Sequence, residues 1–252
     1  MISKNLIKYI HSLEAKKNRI KEGLFVAEGV KVVADLMAIM KPKRIVATEV
    51  WFDENNIIPS ELDAVVTEEE LRKVSFLQHP QQVLALFDIP SHEVSPELCA
   101  KELCLALDTV QDPGNLGTII RIADWFGIST IFCSNDTADA FNPKVIQATM
   151  GSIARVNIVY TELAELIDRL PKGTPVYGTS LEGENIYAKT LSSSGLIIMG
   201  NEGKGISERI MNKVNQKLLI PCYQQQSGID SLNVAVATAV TCAEFRRQSR
   251  MT

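Results

Sequence analysis

The chain has 252 residues, 46% of them apolar, a formal net charge of −4 and five cysteines. That length suits one large or two ordinary domains, and no apolar run nears the roughly 18–20 residues of a membrane span, which excludes a helical membrane protein. Cys99, Cys104, Cys133, Cys222 and Cys242 are odd in number and contain no CxxC pair, which speaks against a disulfide framework and against a metal site. Reduced, mostly buried thiols in a cytoplasmic protein are expected. The N-terminal "MISKNLIKYIHSLEAKKNR" lacks the apolar centre of a signal peptide.

In chain order, helical patterns at 2–16 and 28–40 alternate with β-rich runs at 24–29, 43–48, 63–67 and 81–89, which predicts a small α/β unit. Residues 1–44 hold ten Lys/Arg against four Asp/Glu, an excess of six that leaves −10 for the remainder. A basic end on an acidic chain suits a polyanion partner or a solvated helix face, and charge alone does not choose. "PSHEVSPELCAKE" (90–102) has two prolines and no periodicity and reads as a linker.

From Leu103 the pattern becomes βαβ. Strands are predicted at 103–108, 130–133, 155–160, 176–180, 196–199 and 217–220, and helices at 115–126, 143–150, 161–170, 206–214 and 232–247. Several of these strands are continuously apolar, as when helices cover both sheet faces. The fold class is therefore α/β with an open, mostly parallel sheet, which binds ligands outside the carboxyl ends of its strands. The expected division is a first domain at 1–92, a linker at 93–102 and a second domain at 103–252.

Three loops at strand ends carry the candidate chemistry. In "DPGNLGTIIR" (112–121), Asn115 sits where a helix N-cap is wanted and Gly117 permits close approach to the first turn. Arg121, about 9 Å further along the helix, can lean back toward that end, so helix N–H groups and a guanidinium would face one phosphate. "LIIMGNEGKGIS" (196–207) has Gly200, Gly203 and Gly205 between a strand and a helix. It is neither a Walker loop nor G-x-G-x-x-G, and Glu202 sits badly with a triphosphate. "LLIPCYQQQSGIDSLNVAVATAV" (218–240) stops a strand at Ile220-Pro221. Ser231 there is the expected cap of a helix rich in small residues.

Together these loops resemble the SpoU (TrmH-like) family of RNA 2′-O-ribose methyltransferases, over nearly the whole chain. The matching motifs are Asn115, Gly117 and Arg121, then "MGNEGKGIS" (199–207), then "IP" (220–221) with "SLNVAVA" (231–237), joined by "FNPKVIQATMGSIARVNI" (141–158). The N-terminal "NRIKEGLFVAEGVKVVADLM" (18–37) is similar to the family's substrate-binding domain, related to small RNA-binding ribosomal proteins. The resemblance implies a deep trefoil knot in the second domain, a homodimer, S-adenosylmethionine as cofactor and RNA as substrate, ribosomal RNA more than transfer RNA. It places the adenosine on backbone at Gly200, Ile220 and Leu232, with Thr179, Asn201, Gly203 and Pro221 lining the pocket. The catalytic candidates are Arg121, Asn115, Glu202, Ser231 and Asn233. The family proposal makes the arginine the base. Because arginine is effectively always protonated, a phosphate clamp at Arg121 with Glu202 or water taking the proton is the easier version. The chain departs from the family at Ala235, where serine is common, and at Cys222, where methionine is common. Its loop 222–230 is glutamine-rich.

Two rival readings remain. A Rossmann dinucleotide binder would use Asp136, 22 residues past Gly114, but the PGNLG loop lacks the required glycine spacing. A catalytically silent RNA-binding module would bind RNA without transferring a methyl group.

Overall fold

The structure is a computed structural model that describes residues 2–224 and 231–249. The chain forms two compact units, residues 1–91 with 139–154 and residues 92–138 with 155–252.

The first unit begins with α1 (Lys4–Ser12) and α2 (Lys16–Glu22), followed by β1 (Leu24–Glu28), α3 (Val30–Met37) and β2 (Arg44–Ala47). It continues with α4 (Glu49–Glu54), β3 (Ala64–Val65), α5 (Glu68–Val74) and β4 (Val83–Asp88). The helix expected at 2–16 ends at Ser12, and a separate helix, α2, starts at Lys16. The reason is Arg19, only 1% exposed, whose Nη1 donates to Leu13 O at 2.7 Å and Glu14 O at 2.6 Å. Those carbonyls follow the end of α1, so the arginine rewards a break there. α5 starts with a capping box between Thr67 and Glu70. The four strands order as β1-β4-β2-β3, antiparallel except for the β2–β3 pair.

The second unit opens with β5 (Leu103–Leu107), α6 (Pro113–Trp125) and β6 (Thr130–Cys133). The chain then contributes α7 (Pro143–Thr149) to the first unit, where it packs on β1 and Phe141 meets Phe25 with ring centroids 5.2 Å apart. It returns with β7 (Asn157–Tyr160), α8 (Leu163–Asp168), β8 (Val176–Asn185), β9 (Gly195–Met199), α9 (Glu208–Met211), β10 (Gln216–Leu219) and α10 (Val234–Ser249). These strands order as β10-β8-β9-β5-β6-β7, and every neighbouring pair is parallel. The parallel sheet expected from the apolar runs is present. β5, β6 and β9 are wholly buried, with Ala106, Phe132, Leu196 and Ile198 at one core's centre, whereas β8 beyond Gly178 and most of β10 are more open. The 90–102 stretch carries a short 3₁₀ turn (Pro96–Ala100) whose Cys99 is fully buried in that core.

All five cysteines are free, and four are buried as expected. Burial pushes the Cys242 thiol up to about 12 and raises Cys133 as well, so both stay protonated at neutral pH. No helix among the described residues is long and apolar enough to cross a membrane.

Candidate active site

All-parallel pairing puts the carboxyl ends of β10, β8, β9 and β5 side by side along one edge of the sheet. The loops after β5 and β9 bring Asn115 and Glu202 together from 87 residues apart, and Thr179, inside β8, reaches Met199 at the end of β9. This is the edge where open α/β sheets bind ligands.

The loop after β9 is held shut. Asn201 and Gly205 exchange backbone hydrogen bonds at 2.9 and 2.8 Å. Asn201 Oδ1 accepts the Gly203 and Lys204 N–H groups at 3.0 and 3.1 Å, and its Nδ2 donates to Thr109 O at 2.9 Å. Gly200 is required here: a Cβ on it would lie 2.2 Å from Gly205 C and Ile206 N.

Two residues at the end of β5 complete this clamp, and sequence reading missed both as site residues. Asp108 is 5% exposed, and its Oδ2 accepts Ser207 N–H at 2.7 Å, tying the far end of the β9 loop to β5. The visible signal was a lone acid closing the apolar run "LCLAL". Thr109 has φ +62°, an unusual backbone for a β-branched residue. No turn-forming residue announces it. Its N–H donates to Ser134 Oγ at 2.9 Å while its carbonyl takes the Asn201 amide.

Asn115 does not cap its helix. Asp112 does, accepting Asn115 N–H at 2.7 Å, because Pro113 supplies the first helical position and moves the start two residues earlier. This frees the Asn115 side chain for other work. Ser231 is likewise not the cap of α10. Asn233 Oδ1 takes the Ala235 and Val236 N–H groups at 2.9 and 3.3 Å and fills that role, leaving Ser231 exposed with no hydrogen bond among the described residues.

These two corrections explain each other. With its oxygen committed to the cap, Asn233 must present Nδ2, which donates to Asn115 Oδ1 at 2.9 Å. Asn115 must then present Nδ2, which donates to Glu202 Oε1 at 2.8 Å. The amide orientations follow from the network. Glu202 is half-buried, and its Oε2 has no hydrogen bond among the described residues. The result is a directed line from the N-terminus of α10 to one carboxylate oxygen, with the other oxygen available.

Arg121 lies on α6, exposed and without a hydrogen bond or ion pair among the described residues. Thr179, half-buried, donates from Oγ1 to Met199 Sδ at 4.0 Å. It begins a five-residue bulge in β8, since Gly178 faces Lys217 and Glu184 faces Leu218 on β10. Pro221 is half-buried and Leu232 is 48% exposed. Residues 225–230 of the glutamine-rich loop lie outside the described residues.

The residues present fit S-adenosylmethionine. Among the described residues, neither the N–H nor the C=O of Gly200, Ile220 or Leu232 forms a hydrogen bond. Unpaired backbone donors and acceptors at a sheet edge suit a nucleoside, which needs both.

The model of the SpoU rRNA methylase family matches residues 102–243, more than half of the chain. The chain belongs to the SpoU family. The model of the MRM3-like substrate-binding domain matches residues 4–85. The chain is 34% identical to the Bacillus subtilis 23S rRNA guanosine 2′-O-methyltransferase RlmP, over 93% of each protein. It is 29% identical to the Neisseria meningitidis 23S rRNA guanosine 2′-O-methyltransferase RlmB, over 71% of this chain and 74% of that protein. Among solved structures, an rRNA methyltransferase from Sinorhizobium meliloti bound to S-adenosylmethionine superposes with TM-score 0.84 at 30% identity, covering 98% and 96% of the two chains. A TrmH-family protein from Porphyromonas gingivalis gives 0.88 at 36% identity, covering 98% and 99%.

Proposed function

We propose that this chain transfers a methyl group from S-adenosylmethionine to a ribose 2′-hydroxyl of ribosomal RNA. Family membership and the names of its relatives support the reaction. The Asn233–Asn115–Glu202 line, which ends two residues from the unpaired backbone at Gly200, carries its assignment to this edge.

When bound, S-adenosylmethionine supplies an activated methyl group, and attack on it requires an in-line approach with the hydroxyl's proton removed. Glu202 Oε2 takes that proton. Asn115 fixes the carboxylate from behind, and Asn233 fixes Asn115. Arg121, charged and unpaired, clamps the target nucleotide's phosphate and orients the ribose. Thr179, Asn201, Gly203 and Pro221 line the cofactor pocket, whose adenosine contacts are Gly200, Ile220 and Leu232, and Ser231 stands with the catalytic residues.

Residues 1–92 form the RNA-binding part, 93–102 a linker and 103–252 the catalytic part, in which the C-terminal segments thread as the family's trefoil knot. The protein works in the cytoplasm as a homodimer. Trp125, 84% exposed on α6, and Val236, 50% exposed on α10, are large apolar groups that a second copy would cover. Arg121 lies one turn before Trp125 on the same helix face.

The test maps ribose methylation along ribosomal RNA in cells with and without this gene. One mark should vanish in its absence and return with wild type but not with Arg121→Ala. An unchanged map, or full restoration by Arg121→Ala, would overturn the proposal.

A further inference from the structure

The first unit contains a cavity of about 290 Å³ that the reaction above does not use. Every lining residue belongs to that unit. Its apolar walls are Val26, Phe76, Leu77 and Pro143. His11 packs edge-on against Phe76 with ring centroids 5.2 Å apart, which fixes the aromatic wall.

The polar groups are unevenly arranged. Glu28 is only 6% exposed, yet it lines the cavity. Its Oε1 accepts Phe76 N–H at 2.9 Å and its Oε2 accepts the Ser75 hydroxyl. A carboxylate offers about four lone-pair sites, so each oxygen keeps one acceptor position. Lys144 and Gln147 also line it, and their side chains have no hydrogen bond or ion pair among the described residues. Asn142 Oδ1 accepts Lys144 N–H at 2.9 Å, which leaves its Nδ2 free to donate.

A phosphate does not suit this site, because Glu28 and Glu14 both face it. A planar base does. The cavity has room for a base, has an aromatic wall, and is lined by an acceptor pair and several donors. Of the four RNA bases, guanine alone offers two adjacent donors, N1–H and the 2-amino group, beside an acceptor, O6, on its Watson–Crick edge. Single-stranded RNA bases are read in this way, by stacking and by their Watson–Crick edges.

We infer that this cavity takes an unstacked guanine of the RNA, with Glu28 accepting N1–H and the 2-amino group and with Lys144 donating to O6. The inference rests on the RNA reading above and adds a base-specific contact remote in sequence from the methyl-transfer loops. Burial pushes the Glu28 carboxyl above the ordinary carboxylate range, so it gains from added donors.

The experiment uses the full chain and fluorescein-labelled pentaribonucleotides UUGUU, UUIUU and UUAUU, read by fluorescence anisotropy. Inosine lacks only the 2-amino group. The guanine oligomer should bind about tenfold tighter than either alternative. Glu28→Gln should erase the preference of guanine over inosine. Lys144→Ala, at an exposed position, should weaken guanine and inosine together and leave adenine unchanged. Should Glu28→Gln fail to fold by circular dichroism, the wild-type comparison and Lys144→Ala still decide. Equal binding of guanine and inosine by wild type, or a folded Glu28→Gln that keeps the preference, would overturn the inference. Methyl transfer to ribosomal RNA from cells lacking the gene is measured alongside. Intact transfer without a guanine preference sinks this inference alone, and a guanine preference without transfer sinks the enzymatic reading alone.

Discussion

Arg19 and Glu202 are each held by groups distant in sequence, but they are left in different states. Arg19, in the first unit, is buried and directs its guanidinium at Leu13 O, Glu14 O and the Asp139 carboxylate. Glu202, in the second unit, has one oxygen pinned by Asn115 and the other without a hydrogen bond among the described residues. The first arrangement is internal, with Arg19 Nε buried and unpaired, and specifies a fold. The second orients a charged atom toward whatever occupies the sheet edge. The parallel sheet makes that possible, because it gathers strand ends at one edge, whereas the mixed sheet of the first unit points its ends both ways.

Breaking the internal arrangement should have the largest effect on stability. Arg19→Ala leaves Asp139 without its cation and two carbonyls without donors, so it should cost about 3–5 kcal/mol, read by denaturant unfolding of the full chain. Breaking the directed arrangement should spare stability. Asn115→Ala should unfold like wild type yet slow single-turnover methyl transfer about 100-fold, since Glu202 loses the group that orients it. A large loss of stability in Asn115→Ala, or a small one in Arg19→Ala, would blur the distinction. Gly200→Ala should fall between the two. Its Cβ meets backbone at 2.2 Å, so about 1–3 kcal/mol of stability should be lost together with S-adenosylmethionine binding by calorimetry.

Smaller effects come from pH, with opposite signs at Glu28 and Glu244. Burial raises Glu28 above its ordinary 4.5. The folded first unit therefore binds more protons than the unfolded chain, and stability falls as pH rises from about 4.5 through the raised value. Glu244 on α10 is lowered from 4.5, first by its hydrogen bond from Arg247. Its contribution is present above 4.5 and lost as pH falls through the lowered value. Denaturant unfolding followed across pH should show both trends, and Glu28→Gln should remove only the first. The smallest effect belongs to Arg155→Ala. Its pair with Asp124 at 2.8 Å is partly exposed, and its loss should change stability by about 1 kcal/mol or less.

Much of this was legible in the residues. Apolar runs marked five of the six strands of the parallel sheet to within two residues, because buried parallel strands tolerate no alternation, but β8 runs five residues past its expected end through a largely exposed stretch. Glycines at 200, 203 and 205 marked the loop after β9. What escaped was set by contacts across the chain. The break between α1 and α2 depends on Arg19 folding back onto carbonyls five and six residues earlier. The caps of α6 and α10 went to Asp112 and Asn233, since Pro113 and the Asn115 contact outweigh local preference. Ten cationic residues in 1–44 looked like one basic face, yet Arg19 is internal. The placement of 139–154 in the first unit has no sequence signal, since α7 there reads as any other amphipathic turn.

The central claim is that the Asn233–Asn115–Glu202 line prepares a carboxylate oxygen to take the proton of a ribose hydroxyl. Single-turnover methyl transfer by Glu202→Gln, with S-adenosylmethionine and RNA affinities measured on the same preparation, tests it most directly. The account predicts affinities near wild type and a rate at least about 100-fold lower. A rate near wild type at unchanged affinity would contradict it.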